Sequence, residues 1–198
     1  VGGNLLSRAH RAFFWVIAAT VAITTAEAQD PLFPRPGELE PAVRFWTRVY
    51  TEVDTRSGFI HDDLRLDIVY QTVRFTDDMT QRDRRRKVER GLELTQNILT
   101  KLASGARTGL NGEEQRVLAL FPEGTSSAEF RAAIGRLRFQ LGQSDRFRAG
   151  LERAGAWKPY IYEVLEKEGL PRELSALPHV ESSFDPTAYS KVGAAGLW

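Results

Sequence analysis

No cysteine occurs among the 198 residues. Disulfides, thiol nucleophiles and zinc–thiolate sites are thereby excluded, as is the acylated cysteine of a bacterial lipoprotein. Nor is there a surplus of one charge: 27 Lys and Arg stand against 26 Asp and Glu, interspersed along the chain, for a net charge of +1. A chain that grips nucleic acid concentrates its cations on one face or helix, so nucleic acid is not an expected partner. No apolar run reaches the ~20 residues of a membrane-spanning helix. Internal repeats, low-complexity linkers and recognisable metal or cofactor motifs are missing too, and neither metal nor cofactor is expected.

What is present begins with an N-terminus unlike the rest. Arg8 and Arg11 precede an apolar run from Ala12 to Ile23, which gives way to Thr24-Thr25-Ala26-Glu27-Ala28. A charged start, a short apolar core and a small-x-small end follow one another in the order of a secretory signal peptide. Residues 1–28 are therefore expected to be removed after Ala28, leaving a periplasmic, unlipidated chain associated with the cell envelope. A membrane anchor or a buried helix is the alternative for the same run.

Residues 29–40, with Pro31, Pro34 and Pro36, suit an extended lead-in. From 41 to 157 the pattern is that of a helical region. Val43, Trp46, Val49, Tyr50 and Val53 recur at helical spacing, and Gly58 interrupts them. Leu66, Ile68 and Tyr70 alternate with polar residues as in a short strand or extended arm. A long helix is predicted from about Thr80 to Ser104, stopped by Gly105. Its Arg84-Arg85-Arg86-Lys87 run reads either as a grip on cell-wall carboxylates or as a solvated face.

Capping boxes at Asn111/Glu114 and Ser126/Glu129 open two more helices, the second carrying Phe130, Ile134, Leu137 and Leu141 to a stop at Gly142. Another helix runs from Ser144, and Gly155 to Lys158 reads as a turn.

After that turn Pro159 is placed to open a helix capped by Gly169, and Pro171 to open the next, with Pro178 kinking it one turn before Glu181. Leu174, Leu177, Val180/Glu181 and Phe184 fall on adjoining turns of one face, so a carboxylate sits on an apolar stripe. Desolvation there would raise the pKa of Glu181 toward neutrality, which a general acid requires. The alternative is a Glu at the edge of the stripe that reaches water or pairs with His179 or Lys191. Asp185, before Pro186, reads as turn chemistry, His179 as a helix-surface residue, and no serine has the partners of a nucleophilic triad.

The run from Leu170 through Pro178-His-Val-Glu-Ser-Ser-Phe-Asp-Pro186, then Ala188-Tyr-Ser190 and Gly193-Ala-Ala-Gly-Leu-Trp198, resembles the opening of the soluble-lytic-transglycosylase (SLT) catalytic domain. Within that goose-lysozyme-like family it is most similar to the D-type membrane-bound lytic murein transglycosylases. The resemblance implies a mainly α chain: an N-terminal helical region followed, over 158–198, by the first helices of a truncated lysozyme-like domain. It implies Glu181 as the single catalytic acid/base, accompanied by Ser182. Ser190 corresponds to a serine that contacts substrate, and Gly193, Ala194, Gly196, Leu197 and Trp198 to the floor of the sugar groove.

The implied reaction is non-hydrolytic cleavage of the β-1,4 bond between N-acetylmuramic acid and N-acetylglucosamine, with peptidoglycan glycan strands as partner and no cofactor. The family's later groove residues do not occur in this sequence, so the chain by itself is expected to be inactive, with Leu174, Leu177, Phe184, Leu197 and Trp198 short of packing partners. A lysozyme-like hydrolase and a non-catalytic peptidoglycan-binding scaffold are the rival readings.

Overall fold

Local capping fixes where the helices of the central region begin. Thr80 accepts the amide of Asp83 while the Asp83 carboxylate returns to the amide of Thr80, and Asn111 and Glu114 make the same reciprocal pair. At Ser126 only half the box forms: its hydroxyl accepts the amide of Glu129, whose carboxylate turns to Arg136 instead. The structure is a computed structural model and describes residues 33–189 and Gly196. The signal-peptide expectation for 1–28 lies outside these residues.

Among the described residues the order is helix α1 (Glu40–Thr51), strands β1 (Ser57–Asp62) and β2 (Val69–Arg74), and helices α2 (Gln81–Ala103), α3 (Gly112–Leu118) and α4 (Ser127–Gly135). Strand β3 (Leu137–Leu141), the long α5 (Ser144–Lys167), a 3-10 turn at Arg172–Ala176 and the short α6 (Leu177–Glu181) complete it. The chain is mainly α, as the resemblance implies, but it holds a small antiparallel sheet in the order β2-β1-β3. No described helix is long and apolar enough to cross a membrane.

All six residues of the central strand β1 are buried, because the sheet is covered on both faces. Phe59 points toward α1, where it packs with Phe45, Val49 and Val53. Ile60 points the other way, into the larger cluster with Leu99, Leu102, Phe121 and Phe130. Gly91 lets α2 approach that face, since a Cβ there would come within 2.7 Å of Ile60 Cδ1. At the strand's end the fully buried Asp62 takes Nε of Arg136 on both carboxylate oxygens at 2.9 Å, and Arg136 reaches Glu129 at 2.6 Å. Those contacts tie β1 to the start of β3.

Two sequence expectations are corrected here. The helix from Ser126 ends at Gly135, and Leu137, Phe139 and Leu141 pack against the larger cluster from a strand. Leu137 and Leu141 satisfy a helical spacing as well as an alternating one, and pairing with β1 decides for the strand. The turn at Gly155–Lys158 does not exist: α5 passes through Gly155 and Pro159 without a break. An interior proline costs about 3 kcal/mol. Here one cluster grips both sides of it, Ala154 before and Ile161 and Leu165 after, all closing on Phe184. Burial of both halves outweighs the local penalty.

Candidate active site

The segment after α5 is built around two prolines. Pro171 caps the 3-10 turn, and Pro178 stands in the first turn of α6. A single helix kinked at Pro178 was expected. Proline has no N–H to give a carbonyl one turn back, so the chain tightens to 3-10 geometry and restarts where no such donor is needed.

Glu181 is the last residue of α6 and is exposed. The apolar stripe that should surround it is not assembled: Leu177 is 45% and Val180 71% exposed. The apolar enclosure expected around Glu181 is therefore not present among the described residues. Neither does the alternative pairing with His179 occur, and Lys191 lies outside the described residues. Phe184 departs from expectation in the opposite sense. It keeps its partners and is fully buried against Ala154, Ile161 and Leu165, while Leu174 is partly buried beside them.

Phe184 reaches that site through a sharp reversal. Ser183 and Phe184 both adopt left-handed backbone, at φ 53° and 57°. Each such residue costs roughly 1–2 kcal/mol without a glycine. Ser182 and Phe184 donate their amides to the same carbonyl, that of Pro178, at 3.1 Å. From α5, Arg153 donates Nε and Nη2 to the Ser183 carbonyl at 3.0 and 2.7 Å. His179, expected on the helix surface, is half-buried. Its ring lies between Phe147 at 5.2 Å and Phe184 at 4.6 Å, and Nδ1 is buried without a hydrogen-bond partner. Burial, aided by the charge of Lys158, holds its pKa below the ordinary histidine value.

The other expected residues fall as follows. Ser182 caps α6, half-buried, with its hydroxyl 3.4 Å from the Pro178 carbonyl. Gly196 donates its amide to Ala188 at 3.0 Å with φ +100°, a conformation that suits glycine, which brings it back to the loop after Asp185. Ser190, Gly193, Ala194, Leu197 and Trp198 lie outside the described residues. Asp185 does the turn chemistry expected of it: Thr187 donates its hydroxyl at 2.7 Å and its amide at 2.9 Å, and these bonds lower the Asp185 pKa.

Elsewhere, Arg84 lies over Phe75 at 5.4 Å while Arg85 and Arg86 stand in solvent, a solvated helix face. A cavity of about 1250 Å³ between β2, α2 and α3 is remote in sequence from Glu181 and is lined by Arg48, Gln71, Lys101 and Glu114 among others. No group of acidic or histidine side chains among the described residues could hold a metal ion. Sequence reasoning missed Gly150, Arg153 and His179 as the anchors of the Glu181 turn. Nothing in their local pattern distinguishes them from ordinary helix residues.

Residues 159–198 match the family described as the transglycosylase SLT domain. Over 44 residues the chain is 48% identical to the membrane-bound lytic murein transglycosylase D of Escherichia coli strain K12, and equally to that of strain CFT073. A protein of Alteromonas sp. strain M-1 named for tributyltin chloride resistance is 46% identical over a stretch of the same length. Each match covers 21% of this chain. They span 10% of the two transglycosylases and 21% of the Alteromonas protein. No solved structure matches.

Proposed function

With residues 159–198 carrying the sequence of SLT-family lytic transglycosylases, we propose that this chain belongs to an enzyme that cleaves peptidoglycan glycan strands without water. The observation that carries the reading is the Glu-Ser pair at 181–182, set at the end of α6 and followed by a turn clamped to α5. Protonated Glu181 donates to the glycosidic oxygen between N-acetylmuramic acid and N-acetylglucosamine. The substrate's own N-acetyl group stabilises the positive sugar carbon. Glu181, now a carboxylate, takes the proton of the C6 hydroxyl as that oxygen closes onto C1, leaving a 1,6-anhydro end. One carboxylate suffices because the substrate assists, an exception to the usual two.

Glu181 stands exposed at the end of α6, and acid–base chemistry on a sugar needs water kept from the reacting groups. A sugar strand seated over α6, with Ser182, Ser190, Gly193, Ala194, Gly196, Leu197 and Trp198 in the groove, would supply that exclusion. The protein acts in the periplasm at the cell envelope after loss of residues 1–28, and N-terminal sequencing of the exported form should begin at Gln29. An intact first residue in a membrane-held species would overturn that location.

The test is product analysis. Isolated sacculi are digested by the protein expressed from its complete reading frame, and the muropeptides are weighed by mass spectrometry. Ends 18 Da lighter than the hydrolysis product are expected, that being the mass of the water not added. Reducing ends would make it a lysozyme-like hydrolase, and no product a non-catalytic wall-binding protein.

A further inference from the structure

The family match begins at residue 159, yet what holds the turn after Glu181 lies before it, on the first half of α5. Phe147, Gly150 and Ala154 fall at three- and four-residue steps, Arg153 stands three residues after Gly150, and together they share one side of that helix. Each meets the Glu181 segment. Phe147 stacks on His179, and Ala154 packs on Phe184. Gly150 leaves the space into which the turn is pressed: a Cβ there would lie 3.1 Å from the Ser183 carbonyl oxygen and 3.2 Å from Ser183 Cβ. Arg153 forks two N–H groups onto that same oxygen.

The turn needs such a hold. A helix end leaves its last carbonyls without partners, and two successive non-glycine residues in left-handed backbone persist only where surroundings over-determine them. Arg153 meets both needs with a charge-assisted pair of bonds. No described residue bonds to the Glu181 carboxylate, so its direction is set by the backbone of α6 and by where this turn is pinned.

We infer that Arg153, seated over Gly150, is a positioning residue for Glu181, and that the functional unit therefore starts within the first half of α5 rather than at residue 159. The inference rests on the reading of Glu181 as the acid. Misplacing a reacting group by about 1 Å can cost on the order of 10²-fold in rate.

Arg153→Ala, Arg153→Lys, Gly150→Ala and the exposed control Arg148→Ala are compared in the protein from its complete reading frame. Two readouts need no turnover: amide exchange across Ser182–Phe184 and the ¹³C shift of the Glu181 carboxyl. Both should change in Arg153→Ala and Gly150→Ala and stay put in Arg148→Ala. In anhydro-product release, Arg153→Ala should lower kcat at least ~10-fold with KM little changed, since the group acts on placement and not on uniform binding. Arg153→Lys should recover part of it, having one donor in place of a fork.

Unchanged exchange and carboxyl shift in both Arg153 variants would overturn the inference. So would an altered turn with kcat intact. An inactive wild-type protein would overturn the reading of function, while the exchange and shift measurements would still decide whether Arg153 sets the place of Glu181.

Discussion

The region from α1 to β3 and the segment from α5 onward solve the same problem with unequal means. In the first, a sheet is sandwiched so that Phe59 and Ile60, adjacent in sequence, sink into clusters on opposite faces, and the buried Asp62 is met by Arg136 and by two backbone amides. In the second, four buried residues carry the packing, and Leu177, Val180 and Tyr189 face solvent. Each region leaves one buried polar atom unbonded, Tyr70 Oη in the first and His179 Nδ1 in the second, but two residues of the second alone stand in left-handed non-glycine backbone among the described residues. Most of the buried apolar core of the described residues lies in the first region. The second keeps the exposure and strain that are characteristic of functional sites.

That contrast can be broken from either side. The largest effect expected is from Arg136→Ala, which leaves the fully buried Asp62 carboxylate with the amides of Leu64 and Arg65 but no counter-charge bonded to it. Removing one partner of a buried pair costs roughly 3–5 kcal/mol, and it should appear as a lower midpoint for the main thermal transition. No change in that midpoint would mean that the pair contributes nothing to the first region.

Phe184→Ala should act locally instead. Amide protection should fall across α6 and the second half of α5, while the main transition moves much less than in Arg136→Ala, because Phe184 packs in the small cluster and against His179 and not in the clusters around the sheet. A single cooperative loss of both regions would show that the two are not separable in stability.

A smaller effect is expected from pH. The folded pKa of His179 lies below its ordinary value because the ring is buried, so the unfolded segment binds the proton more readily. The packing it supports is at full strength above pH ~6.5 and weakens as pH falls below that. Amide protection at Ser182–Phe184, taken relative to the intrinsic exchange rate at each pH, should fall in acid, and His179→Phe should flatten the dependence. His61, buried beneath α1 and likewise shifted down, should give the main transition its own acid weakening, which His179→Phe leaves intact. A local pH slope that survives His179→Phe would assign it to another group.

What could be read from the sequence follows the same division. Helix starts at Thr80, Asn111 and Ser126 were legible because capping is local chemistry. Strand β1 was not, since Ser57–Asp62 is buried on both faces and shows neither alternation nor a run of apolar residues. The pattern at Leu137 and Leu141 fits both periods, and only the partner strand resolves it. Gly155 and Pro159 punctuate the chain locally, but a cluster that assembles across them keeps α5 whole. The family resemblance of the segment around Glu181 was legible through its motif. The anchors of that segment were not, for Arg153 and Gly150 acquire meaning only when α5 is laid against the turn.

The most direct test of the central claim compares wild type, Glu181→Gln and Asp185→Asn in the protein from its complete reading frame, by the rate of anhydromuropeptide release from sacculi. Glutamine keeps the shape of the side chain but cannot move a proton, so the rate should fall by roughly 10²–10⁴-fold, the usual contribution of general acid–base catalysis. Asp185→Asn, which loosens only the turn bonds to Thr187, should leave most of the rate. A Glu181→Gln protein that still releases anhydro ends near the wild-type rate, or a reversal of the two variants, would contradict the assignment of Glu181 as the acid.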